Sequence, residues 1–485
     1  MTTERIGIID LGSNSCRFVI YDIYEDGAYH PIFEMKRNIR LAAHLDKEAR
    51  ISPDGLAKAI HCTKLFYRAG SMYGVTDWIA VATAAVRQAQ NQTEFLAALK
   101  KETSVSFRVL QGEEEGRYGY LGVINTLDIQ DALLFDIGGA SMELMYIFNR
   151  RLLQVVSLPY GAVTLTAQFK EVPADLQGDQ VYRFMQQQFL EIPWLTKLRN
   201  LPLVGLGGAA RALAKLDRSK NDQLSKRIHG YQISLNSLRN MYQEIKSSPL
   251  KDRKKIKGLS RQRADILVAG FAAIQALADQ ISAQTIIVSR SGLREGIAFE
   301  YLLRENSEPI VASVLDYSLA NFQKLFKINT NIATLVTNAA LYLFDSLQQV
   351  HGLSEFERKL LQVTSQIESC GCYINTEKWT RHSAYLTLSS HLHGLQPSEC
   401  EQIAGLLCGK NDPTLRKLSL LIRLAKLAIL QSGIEIENLT CTVEENRVWI
   451  GKAPGMRSIV ANSADADLGT EFKKVFGVRL EYMEL

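Results

Sequence analysis

The chain has 485 residues, of which 46% are hydrophobic and 22% are charged, and its formal net charge is +5. This length predicts about three or four domains, and so mild a charge gives no support to a nucleic-acid-binding function. No apolar stretch reaches the roughly 20 residues that a membrane-spanning helix needs, and no apolar signal core follows Met1. Seven scattered cysteines predict reduced thiols and no disulfide framework. We therefore expect a cytoplasmic protein with neither a membrane nor a nucleic-acid partner.

Two short segments near the start of the chain share one pattern. They are Asp10-Leu11-Gly12-Ser13-Asn14-Ser15 and Asp136-Ile137-Gly138-Gly139-Ala140-Ser141, and each lies between two apolar runs, as expected for strand, tight turn and strand. Small residues in such a turn leave backbone N–H groups pointing outward, which makes a nest for an anion. One copy alone could be an ordinary hairpin turn capped by its Asp. Two copies favour a duplicated half-domain with two phosphate loops facing each other.

The first half continues with alternating strands and helices. We predict a helix capped by Ser52 over 52–73, a strand over 78–82, a helix over 94–101 and a strand over 107–110. The second half opens at about Ala132 and repeats the strand order, with later strands at 152–158, 203–206 and 285–288 and a helix over 263–279. This alternation predicts mainly parallel or mixed sheets covered on both faces.

Beyond about residue 302 the pattern changes to long amphipathic helices, predicted over 333–349, 355–369 and 398–407. The last fifty residues return to short strands, at 439–443, 447–450 and 478–482. We therefore predict four domains, with boundaries at 1–125, 126–302, 303–435 and 436–485.

Three consecutive acidic residues, Glu113-Glu114-Glu115, follow Gly112 at the start of a predicted helix. Acidic residues are common in a first helical turn, but this triplet also lies at the junction between the two halves. A carboxylate there can accept a proton from a water molecule that attacks phosphorus. We predict Glu114 as this general base, with Glu115 as the alternative.

A phosphate site also needs positive charge and a metal ion. Arg17 and Arg87 follow phosphate-type loops closely enough to offset the charge of a transferring phosphoryl group, although either could be a surface arginine. Asp10, Asp136 and Glu143 are candidates for positioning Mg²⁺, partly through water, because this ion prefers oxygen ligands.

A basic segment over 251–263 carries seven positive charges against one negative charge. Most runs of this kind are solvated loops. The alternative is a track for a polyanion, whose binding would fall steeply with salt.

Six motifs, in this order over roughly the first 300 residues, resemble those of the exopolyphosphatase / guanosine pentaphosphate phosphohydrolase family. They are Asp10–Ser15, Ala82–Arg87, Gly112–Arg117, Asp136–Glu143, Gly205–Gly208 and Ser291–Gly296. The resemblance implies an α/β chain with duplicated actin-like (ribonuclease H-like) ATPase domains, followed by an all-helical HD-like domain and a small α+β C-terminal domain. It also implies Mg²⁺-dependent hydrolysis of terminal phosphoanhydrides in the cleft between the halves.

Carried over by position, the resemblance gives the base role to Glu114 and the phosphate-loop role to the two glycine-containing turns. The predicted phosphate-binding residues are Ser13, Asn14, Ser15, Arg17, Gly138, Gly139, Ala140, Ser141, Gly207 and Gly208. Ala140 replaces the usual third glycine of the second loop, a change that keeps the turn if its φ is negative.

The predicted helical domain departs from the family pattern. Where longer members tend to have Leu-His-Asp-Ile-Gly, this chain has Ile367-Glu368-Ser369-Cys370-Gly371. The loss of both the His and the Asp removes a metal-binding pair. We therefore expect this domain to lengthen the substrate channel or to mediate dimer contacts.

These observations favour an exopolyphosphatase that releases orthophosphate processively from the ends of inorganic polyphosphate. The same motifs leave open the hydrolysis of guanosine pentaphosphate to tetraphosphate. A kinase-type ATPase with an adenosine site at 205–208 is less favoured, because Glu114 is predicted as a base for water. A non-catalytic polyphosphate or alarmone sensor is also less favoured, because the acidic residues Asp10, Glu114, Asp136 and Glu143 are all present. By family analogy we expect a homodimer.

Overall fold

The computed structural model describes residues 2–220, 227–431, 435–452 and 464–483. The chain divides into two compact units, Met1–Val314 and Leu315–Leu485. Within the described ranges, no helix combines the length and the apolar character needed to cross a membrane.

The first half of unit Met1–Val314 contains a five-stranded sheet. Its strands are β1 (Thr2–Leu11), β2 (Cys16–Tyr24), β3 (Tyr29–Arg37), β4 (Asp77–Ala82) and β5 (Phe107–Val109), in the order β3-β2-β1-β4-β5. Strands β1, β2 and β3 are antiparallel neighbours, whereas β4 and β5 extend the sheet in parallel with β1.

Four helices accompany this sheet: α1 (Pro53–Met72), α2 (Ala84–Arg87), α3 (Gln92–Thr103) and α4 (Gly112–Ile124). Helix α1 begins as predicted, because the Ser52 side chain accepts a hydrogen bond from the Gly55 N–H and Pro53 occupies the first helical position.

The second half of this unit contains a six-stranded sheet. Its strands are β6 (Ala132–Ile137), β7 (Met142–Phe148), β8 (Arg151–Leu158), β9 (Leu203–Leu206), β10 (Tyr231–Ser234) and β11 (Thr285–Val288), in the order β10-β11-β9-β6-β7-β8. Apart from the edge strand β10, the order β8-β7-β6-β9-β11 repeats that of the first sheet, with the same antiparallel and parallel pairings. This repetition confirms the predicted duplicated, ribonuclease H-like α/β architecture.

The described residues of this half form the helices α5 (Ala162–Gln168), α6 (Gln177–Leu190), α7 (Gly207–Lys220), α8 (Leu235–Ser247), α9 (Leu250–Arg253), α10 (Leu267–Gln280) and α11 (Leu293–Leu302). Helix α10 is buried along almost its whole length, as its apolar sequence dictates. It begins four residues later than predicted, because residues Arg261–Arg263 form a separate 3₁₀ turn.

Helices α4 and α11 pack closely and join the two halves. A Cβ atom at Gly296 would overlap the backbone of Tyr118, so the approach of the two helices requires a glycine there. Across the same contact, Arg117 Nη1 lies 2.7 Å from Glu300 Oε1, and Tyr118 Oη donates to Glu300 Oε2 at 2.6 Å. The start of α4, which carries the acidic triplet, is therefore held against the second half.

The unit Leu315–Leu485 is helical and ends in a small sheet. Its helices are α12 (Val314–Leu325), α13 (Thr330–Ser346), α14 (Gln348–His351), α15 (Glu355–Ile367), α16 (Trp379–Ser389), α17 (Pro397–Leu407), α18 (Pro413–Lys426) and α19 (Ala464–Phe476). The sheet has the order β12 (Leu439–Glu444), β13 (Arg447–Lys452) and β14 (Arg479–Met483). The predicted all-helical region and terminal strands are thus present.

In the segment that departs from the family's metal motif, Glu368 pairs with Lys426 Nζ at 2.8 Å. An ammonium group therefore neutralises the acidic residue of that segment. In the described part of the chain, no group of three or more His, Cys, Asp or Glu side chains could hold a metal ion.

Candidate active site

The two similar sequence segments form two equivalent hairpin turns. Each turn closes with a hydrogen bond from its first glycine: Gly12 N–H donates to Ser15 O at 3.2 Å, and Gly138 N–H donates to Ser141 O at 2.9 Å. Helix α2 also stabilises the first turn, because Ala85 N–H donates to Ser13 Oγ at 3.1 Å. The two halves therefore present the same backbone shape to the space between them.

These two turns face each other at short range. A Cβ atom placed on Gly139 would lie 3.2 Å from Ser13 Cβ and 3.4 Å from Asn14 Cβ. Within the described residues, the backbone N–H groups of Ser13, Asn14, Gly139 and Ala140 have no protein acceptor, so they can donate to a ligand. Ala140 is buried and is not among the residues with positive φ, so it is compatible with the turn.

Cross-strand pairing places different charges in equivalent positions of the two halves. In the first sheet Asp10 pairs with Arg17, which pairs in turn with Lys36 on β3. Residues directly opposite in antiparallel strands point to the same face, so these three side chains form one row. The equivalent row of the second sheet is Asp136, Glu143 and Ser157.

The structure separates the two glutamates between which the sequence left a choice. Glu114 lies outside the cleft lining: its carboxylate accepts from the Gln111 N–H at 2.8 Å and pairs with Arg108 Nη1 at 2.6 Å. Glu115 lines the cleft together with the two turns. Glu114 therefore caps the helix that carries Glu115, and the geometry favours Glu115, the alternative of the sequence analysis, as the glutamate that can reach a ligand in the cleft.

Arg87, predicted to face the phosphate, is not among the lining residues and instead forms an ion pair with Glu115. Its Nη1 atom donates to Leu110 O at 2.7 Å and to Glu115 Oε2 at 3.2 Å, and both side chains of the ion pair are 18% exposed. Among the described residues Glu115 Oε1 has no hydrogen-bond partner. One carboxylate oxygen is thus fixed and the other remains available.

The environment of Glu115 makes it a stronger base than an ordinary glutamate. Burial raises the pKa of Glu115 well above its usual range, the neighbouring Glu143 raises it further, and Arg87 lowers it. Glu143 is 2% exposed and accepts a hydrogen bond from Ser157 Oγ at 2.9 Å. Burial, followed by the charge of Asp136, raises the pKa of Glu143 to about 7. Glu143 is not among the lining residues, so it lies behind the cleft surface.

Asp10 and Asp136 both line the cleft, one at the end of each central strand. Burial raises the pKa of each, while Arg17 and other arginines act in the opposite direction, and Asp136 adds to the pKa rise of Asp10. Two carboxylates at this position fit a Mg²⁺ ion that keeps several waters and takes its remaining ligands from substrate phosphates. Glu143, the third predicted metal residue, fits less well because it is buried and is not among the lining residues.

A third loop completes the cleft at the start of helix α7. Gly207 has φ +75°, and a Cβ atom there would overlap Asp136 Oδ1. A Cβ atom on Gly208 would overlap the guanidinium of Arg263. Both glycines therefore make room for charged side chains of the cleft.

Among the residues that the structure describes, five arginines line the cleft, and one of them, Arg17, was among the predicted site residues. They are Arg17, Arg211, Arg263, Arg290 and Arg294. Arg211 lies one helical turn after Gly207, a spacing that the sequence displays. Burial, followed by the charge of Arg17, lowers the pKa of Arg211 to about 9. Four carboxylates, Asp10, Glu115, Asp136 and Glu295, share the lining, so positive and negative side chains lie together in the described part of the cleft.

Most of the predicted phosphate and metal residues meet in this one cleft. Those that line it are Asp10, Ser13, Asn14, Ser15, Arg17, Glu115, Asp136, Gly138, Gly139, Ser141, Gly207 and Gly208. Those outside the lining are Glu114, Arg87, Ala140 and Glu143. Residues that the prediction omitted include Thr83, Arg211, Arg290, Arg294 and Glu295.

The basic segment over 251–263 has a mixed structural role. Arg253 is 7% exposed, and its guanidinium donates to Ser248 O at 2.9 Å and to Ala264 O at 3.1 Å. Lys255 pairs with Asp252 at 3.4 Å. Of this segment's charges, Arg263 is the one that lines the cleft.

Comparison with known proteins agrees with this geometry. Residues 19–305 match the Ppx/GppA phosphatase family, and residues 314–430 match domain III of Ppx/GppA phosphatases. The chain is similar to the Ppx/GppA family member of Aquifex aeolicus, with 29% identity over 63% of this chain and 99% of that one and a TM-score of 0.55. It is also similar to an exopolyphosphatase from Cytophaga hutchinsonii, with 25% identity over 62% of this chain and 98% of that one and a TM-score of 0.57. The chain belongs to the Ppx/GppA phosphatase family.

Proposed function

We propose that this phosphatase is an exopolyphosphatase that removes the terminal phosphoryl group of inorganic polyphosphate by attack of water, with Glu115 as the general base. The observation that carries the proposal is the position of Glu115, which lines the same cleft as both hairpin turns. The terminal phosphate and the activated water would then meet within one enclosed site.

The two turns would hold the terminal and the adjoining phosphoryl groups. The N–H groups of Ser13, Asn14, Gly139 and Ala140 are available as donors, and such backbone nests suit phosphate oxygens. Arg17, from β2, lines the same space and would offset the charge that the equatorial oxygens carry in the transition state.

Glu115 Oε1 would take a proton from the attacking water as its oxygen forms a bond to the terminal phosphorus. The bond from that phosphorus to the bridging oxygen breaks, and the bridging oxygen leaves with the shortened chain. Arg87 fixes the other oxygen of Glu115, so the carboxylate keeps one orientation during this step. Its raised pKa increases its strength as a base wherever the carboxyl is ionised.

Asp10 and Asp136 would hold Mg²⁺, partly through water. When bound, this ion supplies positive charge to the phosphate oxygens and aligns the phosphoryl group. The two aspartates end the central strands of the two sheets, so each half contributes one ligand.

The proposal is tested with two adjacent substitutions of the same type. We expect Glu115→Gln to lower kcat for phosphate release from polyphosphate by at least about a hundredfold. Glu114→Gln should retain activity within about threefold, because a glutamine can still accept the Gln111 N–H hydrogen bond. Phosphate release is measured with long-chain polyphosphate and, in parallel, with guanosine pentaphosphate, whose terminal anhydride presents the same group to the cleft.

Each outcome has a clear meaning. Loss of activity in Glu114→Gln with activity retained in Glu115→Gln would overturn the assignment of the base. Release of phosphate from guanosine pentaphosphate, with none from polyphosphate, would overturn the assignment of polyphosphate as the substrate. Binding of polyphosphate by the wild type without any Mg²⁺-dependent release would make the chain a sensor.

A further inference from the structure

Thr83 is a buried residue of the cleft lining whose hydroxyl group is left without a protein partner. The residue is 4% exposed and lines the cleft together with Glu115. It occupies the cap position of helix α2, where a threonine hydroxyl ordinarily accepts a hydrogen bond from the first turn, but its side chain makes no such bond. Among the residues that the structure describes, Thr83 Oγ1 has no hydrogen-bond partner. Because a buried hydroxyl without a partner is costly, this group is a candidate for contact with a ligand.

A residue of the first hairpin turn takes over the capping of α2. The N–H group of Ala85, which a capping Thr83 side chain would bind, donates instead to Ser13 Oγ at 3.1 Å. The helix end is therefore satisfied by the turn, and the turn is fixed against the helix. The hydroxyl of Thr83 is released from its usual structural role by this exchange.

Thr83 lies between the first hairpin turn and the helix that carries Glu115. Strands β1, β4 and β5 are parallel neighbours with β4 in the middle, so their carboxyl ends meet at one edge of the sheet. Strand β1 leads into the turn, β4 leads into Thr83, and β5 leads into α4. On one side, Thr83 N–H donates to Leu11 O at 3.2 Å. On the other side, Leu110 N–H donates to Ala82 O at 2.9 Å.

The first turn of α2 also brings Thr83 towards Glu115. Arg87 N–H donates to Thr83 O at 3.0 Å, so the two residues are one regular helical turn apart and lie on the same side of α2. Arg87 forms the ion pair with Glu115 at 3.2 Å. In the described part of the cleft, Thr83 Oγ1 and Glu115 Oε1 are thus two polar atoms that lack protein partners and share one lining.

We propose that Thr83 is a further catalytic residue, whose Oγ1 atom accepts a hydrogen bond from the attacking water while Glu115 Oε1 accepts the other. With both of its hydrogens held, the water keeps a lone pair directed at the terminal phosphorus. The hydrogen of the Thr83 hydroxyl can then donate to an oxygen of the terminal phosphoryl group. Glu115 still takes the proton, and the bond from phosphorus to the bridging oxygen still breaks, so Thr83 orients the water and exchanges no proton. The inference rests on the proposed function.

The test uses Thr83→Val and Thr83→Ser, with Thr63→Val as the matched control. Valine replaces the hydroxyl by a methyl group of similar size, whereas serine keeps the hydroxyl. Thr63 on α1 is 0% exposed, and its Oγ1 atom also has no hydrogen-bond partner, but the residue is not among those that line the cleft. For each protein, kcat and KM for phosphate release are measured with Mg²⁺ on long-chain polyphosphate and on guanosine pentaphosphate. The unfolding temperature is measured in parallel.

We expect Thr83→Val to lower kcat by about ten- to a hundredfold, because the water loses one of its two fixed contacts. KM should stay within about threefold of the wild-type value, since the contact is made by the water and not by the bound chain. Thr83→Ser should restore kcat to within about threefold of the wild type. Thr63→Val should match the wild type in kcat and KM. Both valine variants should unfold at the wild-type temperature or above it, because each loses a buried hydroxyl that has no partner.

Three results would overturn the role of Thr83 while leaving the proposed function intact. They are a kcat of Thr83→Val equal to that of Thr63→Val, a rise in KM at unchanged kcat, and a folded Thr83→Ser as slow as Thr83→Val. If the wild type releases phosphate only from guanosine pentaphosphate, the proposed substrate fails, and the same variants decide the role of Thr83 on that substrate. If the wild type releases phosphate from neither substrate, the proposed function is overturned and the role of Thr83 with it.

Discussion

Replacement of Arg87 by glutamine tests whether this arginine sets the protonation of Glu115. Arg87 Nη1 donates to Glu115 Oε2 at 3.2 Å, and both side chains are 18% exposed, so solvent screens the interaction only in part. Removal of the guanidinium leaves burial and the charge of Glu143 acting on this carboxyl, and both raise its pKa. The ionised carboxylate, which is the form that acts as a base, would then require a higher pH.

The size of this pKa shift follows from the free energy of the hydrogen bond that the variant loses. A hydrogen bond to a charged group contributes about 1.5 to 3 kcal/mol, and 1.36 kcal/mol corresponds to about one pKa unit. We therefore expect the acidic limb of the pH profile of kcat to move upward by about 1 to 2 pH units in Arg87→Gln. At a pH well above this limb, kcat should approach the wild-type value. The assay is phosphate release from polyphosphate at a series of pH values with saturating substrate.

Two further variants make the result specific. Arg87→Lys keeps the positive charge and should shift the acidic limb less than Arg87→Gln. Arg117→Gln alters an arginine of α4, the helix that carries Glu115; Arg117 pairs with Glu300 at 2.7 Å, and its replacement should leave the limb unmoved. A pH profile of Arg87→Gln that is scaled down uniformly, without a shift, would refute the reasoning and place Arg87 in contact with the substrate.

Three other predictions follow from the site. Gly207→Ala should lower the free energy of unfolding by about 1 to 2 kcal/mol, because the φ of Gly207 is positive. The same variant should abolish phosphate release, because the new Cβ would overlap Asp136 Oδ1. The control Gly409→Ala, at a glycine with φ +68° and no atom within 4 Å of its added Cβ, should lose stability to a similar extent and keep activity. For Glu143 the folded pKa is about 7 against an ordinary value of 4.5, so its contribution to the free energy of unfolding falls as pH rises from about 4.5 to 7. Glu143→Gln should therefore be more stable than the wild type by ~2 to 4 kcal/mol at pH 8 and by much less at pH 4.5 in chemical denaturation, and a difference independent of pH would contradict this. Asp136→Asn should raise the Mg²⁺ concentration for half-maximal activity by at least about tenfold, and an unchanged Mg²⁺ titration would show that this carboxylate holds no metal.

The sequence predicted the duplicated sheets and the two hairpin turns because these features depend on local patterns. Apolar runs on both sides of Gly12 and Gly138 specify strand, turn and strand, and the repeat of the whole pattern specifies the second half. The helical region after residue 302 is similarly evident from its period. Strand β10 was not predicted, because four residues of alternating burial at a sheet edge give a weak signal.

The side chains of the site were harder to predict, because their direction depends on rotation about a helix and on distant contacts. Consecutive residues of an α-helix point about 100° apart, so the choice between Glu114 and Glu115 decides which side of α4 carries the base. One local signal was available: a glutamate three residues after the helix cap commonly accepts the cap's N–H, as Glu114 does from Gln111. No local signal relates Arg87 to Glu115, since they are distant in the chain and meet only because the Arg87 side chain donates to Leu110 O and to Glu115 Oε2 in the folded protein.

The two halves share a backbone but differ in the charge that lies opposite the strand-terminal aspartate. In the first half Asp10 lies opposite Arg17 and then Lys36, a row that suits the binding of phosphate. In the second half Asp136 lies opposite Glu143, whose charge raises the pKa of Glu115. Exchange of these partners would reverse both effects, since an arginine at position 143 would lower the pKa of Glu115, and a glutamate at position 17 would repel the substrate. One duplicated scaffold therefore places a cation opposite the strand-terminal aspartate in one half and a carboxylate in the other, and that carboxylate acts on Glu115 of the first half.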